Sequence, residues 1–177
     1  MAKKAKTETV AMEIYHSPAG DIVLGSAGGK LVCTDWLNGS HQSYEMVRKR
    51  LGGEPFREGG SELTRKAAKE LDEYFRGERR EFDLPLRFVA TPFEEKVWKA
   101  LQRIPYGKTV CYGDIAREIG QPGASQAVGG AVGRNPFSII VPCHRVVGKN
   151  GTLTGYGGGL PAKKILLGIE RPGEDLF

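Results

Sequence analysis

Long apolar runs are missing from this 177-residue chain. The longest candidates, such as residues 137–141, have the length of a core strand, far short of the ~20 residues that a membrane span needs. Cysteine is scarce. Cys33, Cys111 and Cys143 are odd in number and widely spaced, and none forms a Cys-x-x-Cys pair. This counts against a disulfide framework, a zinc ribbon and a thioredoxin-type site, and it fits a reducing, cytoplasmic compartment. The three histidines, His16, His41 and His144, are scattered too. A zinc held by Cys33, His16 and His41 would lack a fourth ligand, so no metal is expected. There is no Gly-x-x-x-x-Gly-Lys-Ser/Thr, hence no P-loop, and no internal repeat. The basic start, Met1-Ala-Lys-Lys-Ala-Lys, is followed by no apolar segment of the kind a secretory signal carries. It reads as a frayed polar tail that brushes an anionic partner at most. Charge is not extreme either: 26 Lys and Arg against 21 Asp and Glu give +5 and a pI near 9.1. That balance permits nucleic-acid binding without requiring it.

The remaining composition, 40% hydrophobic and 27% charged, is that of a globular chain long enough to bury a real core. The first half reads as strands and a helix. Residues 10–15, 21–26 and 31–37 are short strands separated by Gly- and Pro-containing turns, the pattern of an antiparallel meander. A short helix is expected over 41–51. A better one spans 61–76, where Leu63, Ala67, Leu71 and Phe75 recur at i, i+4 behind Ser61 as N-cap. Residues 81–86 read as a further strand. The stretch 80–92 is the connector, and the boundary falls near residue 90, within about 4 residues, giving an α/β domain over 1–90 and a helical domain over 91–177. In the second half Val97, Trp98, Leu101 and Ile104 form one apolar helical face, stopped by Pro105-Tyr106-Gly107-Lys108.

Three constellations carry chemistry. In Ile139-Ile140-Val141-Pro142-Cys143-His144-Arg145-Val146-Val147, an apolar strand runs into a cysteine beside a histidine and an arginine. A thiol is a nucleophile only as thiolate, the form that a nearby imidazole or positive charge favours. Adjacency alone does not join the two, because neighbours on a strand face opposite ways; a turn, a helix start or a bridging water is needed. A small structural cysteine is the plain alternative. Next, residues 112–119 and 125–132 read as two helices around Gly120-Gln121-Pro122-Gly123. Asp114 caps the first, and Ile115, Ala116 and Ile119 point inward. The second has Val128 and Val132 inward and is otherwise small, with Ala124, Ser125, Ala127, Gly129, Gly130 and Ala131. A face without bulk lets a backbone approach a phosphate chain or groove wall closely; a helical hairpin buried in a core is the alternative. Third, Asn150 to Lys164 is a Gly-rich loop that ends at Pro161, a residue suited to a first helical turn. Tyr156 among glycines could wall a planar ligand, or the loop could simply be flexible. The following helix, 162–170, is expected to turn Ile165, Leu166 and Ile169 inward.

Taken together and in order, these segments resemble the O6-alkylguanine-DNA alkyltransferases. The resemblance rests on Val97-Trp98, Tyr106-Gly107-Lys108, Tyr112-Gly113-Asp114-Ile115-Ala116, Ala127-Val128-Gly129, Asn135-Pro136, Pro142-Cys143-His144-Arg145, Gly155-Tyr156-Gly157-Gly158-Gly159 and Leu166-Leu167-Gly168-Ile169-Glu170. It covers about residues 91 to 171 and is weak in the first half, which lacks the zinc-ligand set of some members. It implies an α+β fold, with an RNase H-like N-terminal sheet and a C-terminal winged helix-turn-helix. It also implies direct, irreversible, one-turnover transfer of an alkyl group from O6-alkylguanine in DNA to Cys143, with O4-alkylthymine left open as a second substrate. His144 would act as base through a water, Glu170 would orient it, Asn135 would brace the Cys143 turn, and Tyr112 would rotate the nucleotide and protonate the leaving base. Val146 would contact the guanine through its backbone, Tyr156, Gly157 and Gly158 would wall the pocket, and Lys163 would support that loop. Ala124, Ser125, Gln126, Ala127, Gly129 and Arg134 would meet the minor groove of duplex DNA. No cofactor and no membrane partner are implied, and the chain would act as a monomer. The chemistry agrees. Displacement at an ether carbon needs a soft thiolate, a base and a proton donor, and an atom inside the base stack must be flipped out to be reached. The alternatives weighed are a non-catalytic binder of alkylated DNA, whose relatives lack the acceptor cysteine, and a winged-helix regulator or thiol hydrolase.

One position departs from the pattern. Many members carry an arginine two residues before the Val-Gly of the recognition helix, where it fills the gap left by the flipped base; here that residue is Gln126. Arginine stacks on neighbouring bases and attracts phosphates, whereas glutamine can only pair with the orphaned base. Gln126→Arg is therefore expected to tighten binding to duplex DNA and steepen its salt dependence, while reaction with free O6-benzylguanine changes little. A salt series of duplex affinities beside the free-base rate tests this; weaker binding at every salt concentration would show that Gln126 does not stand at the flipping position.

Overall fold

The computed structural model describes residues 7–174; the basic tail of residues 1–6 lies outside the described residues. The meander forms as expected. β1 (Ala11–Ser17), β2 (Gly20–Ala27) and β3 (Lys30–Trp36) pair antiparallel, with Tyr15 opposite Ile22 and Leu24 opposite Thr34. A two-residue strand missed in the sequence, β4 (Arg57–Glu58), pairs parallel with the outer edge of β1, giving the order β3-β2-β1-β4. Helix α1 (Ser43–Arg50) packs Val47 against Val10, Val32 and Leu51 in a small satellite core. Helix α2 (Glu62–Phe75) lies across β1 and β2. It starts at Ser61 with a reciprocal cap: the Ser61 hydroxyl accepts from Thr64 N (3.1 Å) while Ser61 N donates to Thr64 Oγ1 (2.7 Å). Its Ala67, Leu71 and Tyr74 are fully buried, at about 1.5–3 kcal/mol for each large side chain.

The strand expected over 81–86 does not form. The chain there is extended, with Phe82, Leu84 and Leu86 turned half inward, but it meets the sheet only around Leu86, where Leu31 N donates to Pro85 O and Arg87 N donates to Leu31 O, both at 2.8 Å. Pro85 has no amide to give a ladder. The rest of the β3 edge is taken by another segment: Thr34 N donates to Pro136 O (2.8 Å) and Thr34 Oγ1 to Ser138 O (3.2 Å).

The second half holds α3 (Pro92–Gln102), α4 (Tyr112–Glu118), α5 (Ser125–Gly133) and α6 (Leu160–Glu170). α4 and α5 form the expected helix-turn-helix, packed on α3; Trp98 Nε1 fastens α5 by donating to Ala131 O (2.9 Å). Asp114 is not the N-cap of α4. Cys111 holds that position, and Asp114, three residues on, accepts from its amide (2.7 Å). β5 (Val110–Cys111) and β6 (Val146–Val147) make a short parallel pair. One main core spans both halves, joining Leu24, Leu71 and Tyr74 to Trp98, Leu101, Phe137 and Leu166. On α6 the inward face is Ala162, Lys163, Leu166, Leu167 and Glu170, so Ile165 points outward, 39% exposed. Of the three residues expected inward, Leu166 is buried and Ile169 packs against the core; only Ile165 is turned out, while two charged residues, Lys163 and Glu170, take inward places. Among the described residues no helix is long and apolar enough to cross a membrane.

Buried Glu94, at the start of α3, ties the two halves together. It accepts from Arg50 of α1 (2.7 Å), from Arg134 at the end of α5 (2.8 Å) and from the Thr91 amide (2.9 Å). Burial alone would raise its pKa; these donors instead hold it near 2, below the ordinary 4.5. A depressed carboxyl stabilises the fold above its unfolded value and loses that contribution as pH falls toward the folded one. Glu94→Gln is expected to cost about 1–3 kcal/mol at pH 7, with the difference from the parent protein shrinking between pH 4.5 and 2. Chemical denaturation at several pH values measures it, and a pH-independent difference would refute the assignment.

Candidate active site

The apolar run before Cys143 is a buried turn rather than the expected strand. Val141 N donates to Phe137 O (2.8 Å), and Cys143 N donates to Val141 O (2.8 Å). Ile139 sits at φ +72°, costly for a β-branched residue. Asn135 holds this strained path: its Oδ1 accepts from Phe137 N (2.9 Å) and its Nδ2 donates to Val141 O (2.9 Å). Cys143, His144 and Arg145 then make one turn of 3₁₀ helix, so they radiate to different partners and do not alternate across a sheet.

Cys143 looks into a cleft of about 280 Å³, lined also by Tyr112, Gly129, Asn135, Ser138, Gly155, Tyr156 and Gly157 and, from the first half, by Asp35 and residues 39–43. That is small by the standard of ligand pockets and suits a single base. The pairing of β5 with β6 brings Tyr112 here; its ring lies beside Gly129, and its hydroxyl meets Thr154 Oγ1 (3.2 Å). Gly158 does not line the cleft but backs onto Trp36. Val146, His144, Lys163 and Glu170 stand behind the wall. Lys163, 1% exposed, donates through Nζ to Val146 O (2.6 Å) and Thr154 O (3.3 Å), fastening the Gly-rich loop. Burial lowers its pKa to about 8.

His144 and Glu170, the residues expected to form a relay, meet behind the cleft wall. His144 Nε2 lies 2.6 Å from Glu170 Oε2, and both side chains are fully buried. Glu170 also accepts from Tyr74 Oη (2.6 Å), from Arg145 Nε (2.8 Å) and Nη2 (3.2 Å), and from Gly107 N (3.2 Å). Burial alone would protonate this carboxyl; His144 and Arg145 hold it well below the usual carboxylate range. Burial lowers the His144 pKa. A neutral imidazole facing an ionised Glu170 carries its proton on Nε2 and keeps the Nδ1 lone pair free to act as base. Nδ1 is buried and has no hydrogen-bond partner among the described residues. Burial raises the Cys143 thiol to about 11, partly offset by the Asn135 side chain and the Lys163 charge. At rest it is therefore a thiol that needs a base.

Sequence reasoning missed three contributors and set a fourth, Arg145, beside the thiol without its partner Glu170. Tyr74 and Arg145 complete the Glu170 site, Asp35 shares the cleft, and Trp36 stands behind Tyr156. Burial raises Asp35 to about 6 despite the amides of Tyr44, Trp36 and Ser43. Only Arg145, within the Pro-Cys-His-Arg motif, carried a signal. On α5, Ser125, Gln126, Ala127 and Gly130 form the exposed face, with Ala124 and Gly129 half-buried beside it. Arg134 follows the helix, about half-exposed and paired with Glu94.

Known proteins share this layout. Residues 10–88 match the ribonuclease-like domain of 6-O-methylguanine DNA methyltransferase, and residues 92–172 match its DNA-binding domain. The chain belongs to this family. A methylated-DNA--protein-cysteine methyltransferase of Mycobacterium tuberculosis is 46% identical over 155 residues, 88% of each chain. One of Methanosarcina acetivorans is 44% identical over 157 residues, 89% of this chain and 96% of that one. The crystal structure of M. tuberculosis OGT in complex with DNA superposes with a TM-score of 0.78 at 41% identity, covering 90% of this chain and 92% of the other. In the family's terms, the ribonuclease-like half here lends Asp35 to the cleft and the Tyr74 hydroxyl to Glu170.

If His144 and Glu170 serve Cys143 as a base, Glu170→Gln and His144→Ala should each slow its alkylation by a small electrophile at least tenfold at neutral pH. The rate should recover as pH climbs toward 11, where the thiol ionises unaided. Superimposable pH-rate profiles for parent and variants would rule the relay out.

Proposed function

We propose that this protein repairs DNA by transferring the alkyl group of O6-alkylguanine in duplex DNA to Cys143, once per molecule. The observation that carries the reading is the cleft itself: a thiol, a phenol and glycine walls around a base-sized space, backed by the His144–Glu170 pair, in a chain matching methylated-DNA--protein-cysteine methyltransferases over most of its length.

In this reading α5 enters the minor groove with Ala124, Ser125, Ala127 and Gly129 toward the backbone and Arg134 at its far end. Gln126 occupies the space of the flipped base. The flipped guanine lies between Tyr156 and Gly157, with the Val146 carbonyl near its edge. His144 Nδ1 takes the Cys143 proton through one water. The thiolate attacks the alkyl carbon, an S–C bond forms and the C–O6 bond breaks, and the electron pair passes into the guanine ring, which takes a proton from the Tyr112 hydroxyl. Asn135 keeps the thiol aimed, and Lys163 keeps the loop closed. The thioether has no leaving route, so turnover stops at one equivalent. The roles divide near residue 90, the C-terminal part carrying DNA contact and chemistry. We further place the protein in the cytoplasm, acting as a monomer; its three unpaired thiols support a reducing compartment.

After incubation with an O6-methylguanine duplex, intact-mass measurement should show a gain of about 14 Da, one methyl in place of a proton. Peptide mapping should place it on Cys143, and Cys143→Ser should abolish it. Methyl on Cys33 or Cys111, or continued turnover past one equivalent, would defeat the proposal.

A further inference from the structure

We infer that Trp36, at the end of β3, is a positioning residue for the base-binding wall, and that Gly158 is glycine in order to admit its indole. The inference rests on the function proposed above. The wall, residues 155–159, has no helix or strand of its own beyond a single turn closed by Gly159 N on Tyr156 O (2.9 Å). An irregular segment takes its place from whatever its backbone and side chains touch. Here the partners are in the N-terminal half. Trp36 Nε1 donates to Tyr156 Oη (3.2 Å), and the two rings meet edge to face with centroids 6.0 Å apart. Ser40 N donates to Gly157 O (2.9 Å). Asp35 and Ser138 line the same cleft beside Tyr156.

The glycines record how close this approach is. A Cβ on Gly158 would stand 2.5 Å from Trp36 Cε2 and 2.7 Å from Nε1. A Cβ on Gly39 would stand 2.7 Å from Gly157 O and 3.0 Å from Trp36 Cβ, and one on Gly20 would reach the far edge of the indole at 3.5 Å. The indole, 3% exposed, is thus held between the β1–β2 turn and the wall. Gly158 lies outside the left-handed region, so its backbone would tolerate alanine; space alone forbids it. Trp36 does not line the cleft and touches no reacting atom. It acts through Tyr156 and Gly157, which do line it.

The test is the second-order rate of Cys143 alkylation by free O6-methylguanine, measured on the full chain from pH 6 to 9, with no DNA to bend or flip. Trp36→Phe keeps a ring and removes the donor; it should slow the reaction about three- to tenfold, by the same factor at every pH, because the His144–Glu170 relay is untouched. Gly158→Ala should slow it more than tenfold alone but less than twofold when added to Trp36→Leu, where the indole is gone. An equal Gly158→Ala penalty in both backgrounds, a shifted pH midpoint in Trp36→Phe, or a Trp36→Phe rate equal to that of the parent would each overturn the inference. If Trp36→Leu does not fold, the same pair of measurements in Trp36→Phe decides, with a reduced Gly158→Ala penalty expected. Absence of methyl transfer in the parent protein would instead remove the functional reading itself.

Discussion

A carboxylate sealed from water is tolerable only if its lone pairs find donors, and Glu170 meets that demand by drawing on three other parts of the chain. Tyr74 comes from α2, Gly107 from the turn after α3, His144 and Arg145 from the 3₁₀ turn, and the carboxylate itself from α6. Burying an ion this way brings little net stability, but leaving it short of a partner costs about 3–5 kcal/mol. The cluster therefore acts as a condition for assembly: both halves must be in place before the charge is satisfied. The same demand sets the chemistry, because an ionised Glu170 fixes which imidazole nitrogen holds the proton and which one is free.

The resting thiol is correspondingly quiet. With Cys143 near 11, a negligible fraction is thiolate at neutral pH, so small electrophiles have little to react with unless the imidazole accepts the proton. Reactivity then depends on a base within reach of the thiol.

Both the cleft and the turn that aims Cys143 are joint products of the two halves. The edge of β3 is capped at Leu31 by residues 85–87 and at Thr34 by residues 136–138. The second contact anchors the segment in which Ile139 adopts its unfavourable backbone, and the Asn135 amide closes it. Strain of this kind persists only where surrounding contacts over-determine it. The family's ribonuclease-like half therefore serves here as the fixed surface on which the strained turn and the Gly-rich wall are mounted.

Much was legible before any coordinates. Short runs between Gly- and Pro-containing turns marked β1 to β3, i, i+4 spacing with a Ser cap marked α2, and Gly-Gln-Pro-Gly marked the break between α4 and α5. These patterns are local, because a residue's place on a pleat or helix face follows from its neighbours in sequence. The order of the motifs also singled out Cys143, His144, Asn135, Tyr112 and Glu170 as one group. Local pattern failed where a distant partner decided. Residues 81–86 alternate like a strand but find most of the β3 edge already occupied, and residues 137–141 are apolar enough for a strand but are bent into a turn by Asn135. On α6 the inward places of Leu166 and Ile169 follow from the pattern, but those of Lys163 and Glu170 do not, because both look like surface residues until their buried partners are known. Tyr74, Asp35 and Trp36 carried no signal at all, since each matters only through a contact at least 96 residues away in the chain or through a cleft shared with the other half. The sequence alone determined most of the elements, because these depend on residue type and short-range spacing, and the order of its motifs carried the resemblance from which the chemistry was inferred. Only the tertiary structure decided how the proton is held and what the base would rest against, because hydrogen bonding and close packing between distant segments cannot be written in any local pattern.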